Sequence, residues 1–176
     1  MLDDLLSRDL ALVVCGTAAG HRSDRQAEYY AGRGNRFWTT LAMVGLTPEP
    51  LPPSAFRRLL EFRIGLTDLV KGQVGNDHEL RVGAADILSL RAKIHVYQPR
   101  YLCFNGKRSA QLVLRRPRVE YGVQKERLGR TVLFVAPSTS SAASASWEIC
   151  VWQDLAARVR RHQPPSNPRL LLPGPR

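Results

Sequence analysis

With 176 residues, 44% of them hydrophobic and 23% charged, the chain has the length and composition of one soluble globular domain with a real core. No apolar run nears the ~20 residues that span a bilayer, and three cysteines without a C-x-x-C pair cannot supply a four-thiolate cluster. The net charge of +11, with Arg22, Arg25, Arg33, Arg36 and Lys107 beside polar loops, points to a polyanionic partner.

Taken in chain order, residues 1–10 read as a short helix leading into an apolar strand, Leu12 to Cys15. The run Val13-Val14-Cys15 ends in small residues, Gly16-Thr17-Ala18-Ala19-Gly20, which let a flat ligand lie close to backbone. A polar loop follows to Glu28, and then two adjacent tyrosines, Tyr29 and Tyr30, offer ring faces for stacking. A helix is expected from Asn35 to Val44, with Phe37, Trp38, Leu41 and Val44 at helical spacing and Gly45 as its stop. After the proline connector at Pro50, Pro52 and Pro53, Ser54 to Phe62 reads as a second short helix.

Ile64 to Val70 is extended, with Thr67 and Asp68 in its middle, and a polar loop runs from Lys71 to Glu79. Ala84 to Tyr97 has a helical stripe of Ile87, Leu90, Ile94 and Tyr97. Arg100 to Phe104 is a strand, then Asn105-Gly106-Lys107 turns into a helix ending near Leu114. Arg115 to Arg130 reads as a hairpin or surface loop, and Thr131 to Ala136 as a buried strand. A Ser/Ala-rich loop from Pro137 to Ser144 precedes a last helix to Arg161, expected to bury Trp147, Val151, Leu155 and Val159. One domain over 1–161 and a basic, Pro-rich, mobile tail over 162–176 are expected.

Strands alternating with helices predict a three-layer α/β/α sandwich on a central, mostly parallel sheet. Ligands sit at the carboxyl ends of such strands, so the turns at 16–20, 105–107 and 137–141 should meet in one site. Cys15, Cys103 and Cys150 read as buried thiols in a reducing compartment. Met1-Leu2-Asp3-Asp4 lacks the regions of an export signal, so a cytoplasmic, bacterial-type, nucleoid-associated setting is the expectation. His21, His78, His95 and His162 lack metal-ligand spacing, so neither metal nor other cofactor is expected.

The segments Gly16-Thr17-Ala18-Ala19-Gly20 and Tyr30-Ala31-Gly32-Arg33-Gly34-Asn35-Arg36-Phe37-Trp38 resemble motifs of the uracil-DNA glycosylase superfamily, closest to its mismatch-specific uracil/thymine branch. Gly65-Leu66-Thr67-Asp68-Leu69-Val70, Leu102 to Lys107 and Ala136-Pro137-Ser138 continue the resemblance in the same order. It departs in three places: Ala18 stands where that branch keeps a water-orienting Asn, Ala136 replaces the late-loop Asn, and Ser140 takes the place of an apolar wedge.

The resemblance implies a uracil-DNA glycosylase-like fold and a monofunctional enzyme. Such an enzyme would excise uracil from single- or double-stranded DNA as a monomer, without a membrane partner. Its base would rest among Gly16, Thr17, Ala18, Ala19, Gly20, Tyr30, Asn35 and Asn105, with Tyr30 as the stacking ring. Asn35 and Asp68 become the catalytic candidates, Asp68 because Ala18 cannot orient water. Arg22, Lys107, Ser138, Ser140 and Ser141 become candidate phosphate contacts. Local roles compete with each of these: a helix cap for Asn35, a loop clamp for Asn105, a strand-end cap for Asp68.

Two other readings stay open, a glycosylase for hypoxanthine or for thymine opposite guanine, and a DNA-lesion binder without catalysis. A phosphate-binding loop at Gly106-Lys107-Arg108-Ser109 does not fit, because Tyr101 and Arg108 break the pattern at two places.

Overall fold

The computed structural model describes residues 2–75 and 79–161. The expected tail, 162–176, and His78 lie outside them. Among the described residues the strands are β1 (Leu12–Gly16), β2 (Ile64–Asp68), β3 (Tyr101–Asn105), β4 (Gly122–Leu128) and β5 (Thr131–Ala136). The helices are α1 (His21–Gln26), α2 (Phe37–Met43), α3 (Ala84–Tyr97), α4 (Lys107–Leu114) and α5 (Ile149–Arg161), with 3-10 segments at Pro53–Phe62 and Ser141–Ser146.

These strands form one sheet in the order β2-β1-β3-β5-β4. β1 pairs in parallel with β2 and β3, and β3 with β5; β4 alone among the described strands runs antiparallel, as a hairpin with β5. The hairpin option for the basic stretch 115–130 is therefore the one observed.

Strand alternation sends successive side chains into two cores. Leu12, Val14, Ile64 and Leu66 pack under α2, the first 3-10 segment and α5, against Phe37, Leu41, Leu59, Trp152 and Leu155. Val13, Cys15, Leu102 and Phe104 pack under α3 and α4, against Leu90, Ile94, Ala110 and Val113. Both faces of the inner strands are covered, which is why they read as unbroken apolar runs. The three-layer α/β/α architecture follows directly.

Four local expectations need correction. Residues 2–10 are not helical. Leu5 instead exchanges backbone hydrogen bonds of 2.9 Å with Leu66 in an isolated antiparallel bridge. Gly65 makes that approach possible: a Cβ there would sit 2.6 Å from the Leu5 carbonyl oxygen. The loop after β1 contains the short helix α1, whose polar sequence shows no apolar period to announce it. The buried stripe of α5 is Trp152, Leu155, Ala156 and Val159, while Trp147 precedes the helix and Val151 is half-buried. The register moves because the larger Trp152 takes the core and donates its indole N–H to the Pro137 carbonyl at 3.0 Å. Cys150 is exposed, whereas Cys15 and Cys103 are buried as expected.

Candidate functional site

The carboxyl ends of β1, β2, β3 and β5 open onto a cleft of about 950 Å³. Its lining includes every residue of 16–20, together with Tyr30, Asn35, Asp68 and Asn105. Arg22, Lys107, Ser138 and Ser140 line it as well. Of the residues singled out from sequence, Ser141 is not part of the lining; its side chain lies beside Gly34.

Buried tryptophans fix two of the converging loops. Trp38 donates to the Tyr29 carbonyl at 3.2 Å, and Trp152 holds Pro137 as described above. The β1 turn is tied to β2 by hydrogen bonds from Leu69 to the Gly16 carbonyl (3.0 Å) and from Val70 to the Thr17 carbonyl (2.8 Å). The late loop is tied to β3 by its end residue. Asn105 donates to Thr139 Oγ at 2.9 Å and accepts from the Thr139 N–H at 2.9 Å. Asn105 thus serves as the loop clamp, at the cleft wall.

Tyr30 stands in the left-handed backbone region at φ 53°, a conformation seldom kept by a bulky residue without cause. Its ring stacks on Phe37, with centroids 3.9 Å apart and planes 24° from parallel. Phe37 in turn meets Trp38 edge-on at 5.0 Å. One face of Tyr30 is therefore backed by a rigid aromatic column, while the half-buried ring contributes to the cleft wall. Burial, and then the charge of Asp68, push the Tyr30 hydroxyl well above the ordinary tyrosine range, so it stays neutral.

Asn35 accepts a hydrogen bond from the Phe37 N–H at 2.9 Å through Oδ1. It lies just ahead of the Arg36 N-cap of α2 and lines the cleft at once.

Asp68 ends β2 and is 3% exposed. A Cβ on Gly16 would sit 2.6 Å from Asp68 Oδ1, so only glycine lets the carboxylate lie against β1. The other oxygen, Oδ2, is 3.5 Å from Lys71 Nζ, an ion-pair distance but longer than a good hydrogen bond. Burial pushes the Asp68 carboxyl up to about 6; neighbouring Asp4 adds to this and Lys71 opposes it. The site thus holds a buried carboxylate that is largely ionised at neutral pH and protonates near pH 6.

Four features of the site had no signal in local sequence. Thr139 is named by nothing around it, because its partner Asn105 is 34 residues away. Tyr121 lines the cleft with Lys107 Nζ 4.3 Å above its ring, an outcome of the β4–β5 hairpin. His21 joins the lining through α1. Lys71 and Asp4 meet behind Asp68 at 2.7 Å across almost the whole first half of the fold. Among the described residues, no group of three or more His, Cys, Asp or Glu side chains is placed to hold a metal ion. No described helix is long and apolar enough to cross a membrane.

The fold is shared with a solution NMR structure of a candidate uracil DNA glycosylase from Methanosarcina acetivorans. That protein is 20% identical, with a TM-score of 0.63 over 91% of this chain and 95% of its own. The sequence profile of the uracil DNA glycosylase superfamily matches residues 4–156, a span that takes in β1 through most of α5 and, Leu2 apart, the residues that line the cleft. The chain belongs to the uracil DNA glycosylase superfamily.

Proposed function

We propose that this protein is a monofunctional DNA glycosylase that hydrolyses the N-glycosidic bond of deoxyuridine and leaves an abasic site. The observation that carries this reading is a buried carboxylate, Asp68, sharing one cleft with a backed aromatic ring, Tyr30. A base hidden by stacking must leave the duplex to react, at a cost of about a few kcal/mol. A ring already held by Phe37 returns part of that cost, since base–aromatic stacking is worth ~1–3 kcal/mol.

As the glycosidic bond stretches, positive charge develops on the sugar and negative charge on the leaving base. Asp68, ionised at neutral pH, stabilises the sugar cation or orients the attacking water. This role fits the presence of Ala18 at the place where the mismatch-specific branch carries Asn. Asn35, fixed by its bond to Phe37, offers the rest of its carboxamide to the base. The backbone of 16–20 lies against the base edge, and Arg22, Lys107, Ser138 and Ser140 follow the phosphates. With Ser140 in place of an apolar wedge, single-stranded or mismatched DNA is the easier substrate, because less stacking must be broken.

Ala18 also supports a second reading, a lesion binder without catalysis. One experiment separates the two. A uracil-containing oligonucleotide is incubated with the protein and then treated with alkali; strand breakage supports excision. A mobility shift without breakage supports binding alone. Parallel oligonucleotides with hypoxanthine, or with thymine opposite guanine, assign the preferred base.

A further inference from the structure

Behind the cleft floor, Lys71 Nζ sits between two carboxylates. It is 2.7 Å from Asp4 Oδ1 and 3.5 Å from Asp68 Oδ2. It also donates to the Leu2 carbonyl at 3.0 Å and to the Tyr29 hydroxyl at 3.1 Å. Asp4 is held in turn by Lys93 from α3 at 2.6 Å and by the Thr67 hydroxyl from β2 at 2.8 Å. Burial would raise Asp4, but these partners outweigh it and hold its carboxyl below the usual range.

The two carboxylates differ in what they face. Asp68 lines the cleft; Asp4 and Lys71 do not, so neither would touch a bound nucleotide. Lys71 is nonetheless the cation in direct contact with Asp68, and Lys93 reaches it only through Asp4. The other titratable groups around Asp68 are Cys15 on β1 and the hydroxyls of Tyr29 and Tyr30. Burial, followed by the charge of Asp68, pushes all three up, and they stay neutral in the working range.

We propose that Lys71 is a positioning residue for Asp68, and that Asp4 sets how much of the Lys71 charge reaches the cleft. Asp4, carried by the segment that Leu5 docks on β2, then acts on the site although its own side chain does not line the cleft. This inference rests on the reading of Asp68 as the group that meets the developing charge on the sugar. An ammonium shared unequally between a sequestered anion and a working one keeps the working one charged without neutralising it. Removing the ammonium should make Asp68 protonate more readily. Removing the competing anion should do the reverse.

The test is the pH dependence of single-turnover uracil excision, from pH 4.5 to 9, in Lys71→Gln, Lys71→Arg and Asp4→Asn. Lys71→Gln is expected to move the acid limb to higher pH. A move of one pH unit lowers the rate at pH 5 by about tenfold relative to the variant's own plateau. Asp4→Asn is expected to move the limb to lower pH, and Lys71→Arg to return it toward the wild-type position. Opposite movements of the first two support the proposal, since a variant that merely unfolds more readily in acid moves its limb to higher pH and never to lower. A limb that stays in place in all three overturns it. Should Lys71→Gln not fold, Asp4→Asn decides alone: a limb unmoved or moved upward overturns the inference. Should the wild type release no base at any pH, the glycosylase reading has failed. The inference is then read from the Asp68 carboxyl carbon by NMR titration, where Asp4→Asn must lower its midpoint.

Discussion

Asp68→Asn separates what the carboxylate does for catalysis from what it costs the fold. The group ordinarily titrates near 3.8 and is pushed up to about 6 here, a shift of roughly two units. At 1.36 kcal/mol per unit this is about 3 kcal/mol. The folded state binds this proton more tightly than the unfolded chain does. The stability it contributes is therefore fully present below pH ~4 and is lost as pH rises through about 6. At pH 7.5 the wild type carries a buried anion whose nearest cation is shared with Asp4. The amide variant carries none. Urea unfolding at pH 4 and at pH 7.5 should show Asp68→Asn gaining about 3 kcal/mol relative to wild type between the two. At pH 7.5, where the wild-type carboxylate is ionised, single-turnover excision of uracil by the variant should be ~10²–10⁴-fold slower than by the wild type. A difference in unfolding free energy that is equal at both pH values would refute the strained carboxylate. Undiminished excision would refute its role in the reaction, whatever the stability shows.

Three further outcomes are expected. Gly16→Ala drives a Cβ to 2.6 Å from Asp68 Oδ1, so the carboxylate must move. Overpacking of this kind costs ~1–3 kcal/mol, visible in the denaturation midpoint, and excision should drop at least about tenfold while far-UV circular dichroism is unchanged. Tyr30→Leu removes the stacking face and should slow excision ~5- to 150-fold, the equivalent of ~1–3 kcal/mol, whereas Tyr30→Phe should keep most of the rate. Asn105→Ala breaks both hydrogen bonds to Thr139, and amide exchange of the Thr139 N–H should speed up as that loop loosens.

Much of the architecture could be read from pattern. Parallel strands buried on both faces leave apolar runs such as Leu12-Val13-Val14-Cys15, and Gly16 marks where β1 ends. The Asn35–Trp38 segment carries its own start signal, and α2 begins within two residues of Asn35, with Arg36 at its N-cap position. Local pattern failed where a long-range contact decided the outcome. Residues 2–10 are shaped by β2, through Leu5 and Leu66, and have no periodicity of their own to show it. Trp147 and Trp152 are equally plausible anchors in sequence, and only the neighbouring Pro137 carbonyl selects Trp152.

The same division runs through the site. The turns after β1, β3 and β5 were legible because a parallel sheet brings the carboxyl ends of its strands to one edge. Asp68 was legible from its resemblance to a family motif, and its burial against Gly16 was not. Asp4 and Lys71 escaped notice because no spacing rule joins residues 67 positions apart through a buried ion pair. Ser141 is a candidate beside Ser138 and Ser140 in sequence, yet its side chain lies against Gly34, while Ala142 and Ala143 of the same 3-10 turn line the cleft.

The central claim is that Asp68 and Tyr30 enclose a nucleobase that has left its stack, and that the bond to its sugar is then hydrolysed. Release of free base from a uracil-containing single strand, followed by chromatography under single-turnover conditions, tests it most directly. Uracil should appear with the wild-type protein and be suppressed ~10²–10⁴-fold by Asp68→Asn. Intact oligonucleotide with the wild type, across uracil, hypoxanthine and mismatched thymine alike, would contradict it.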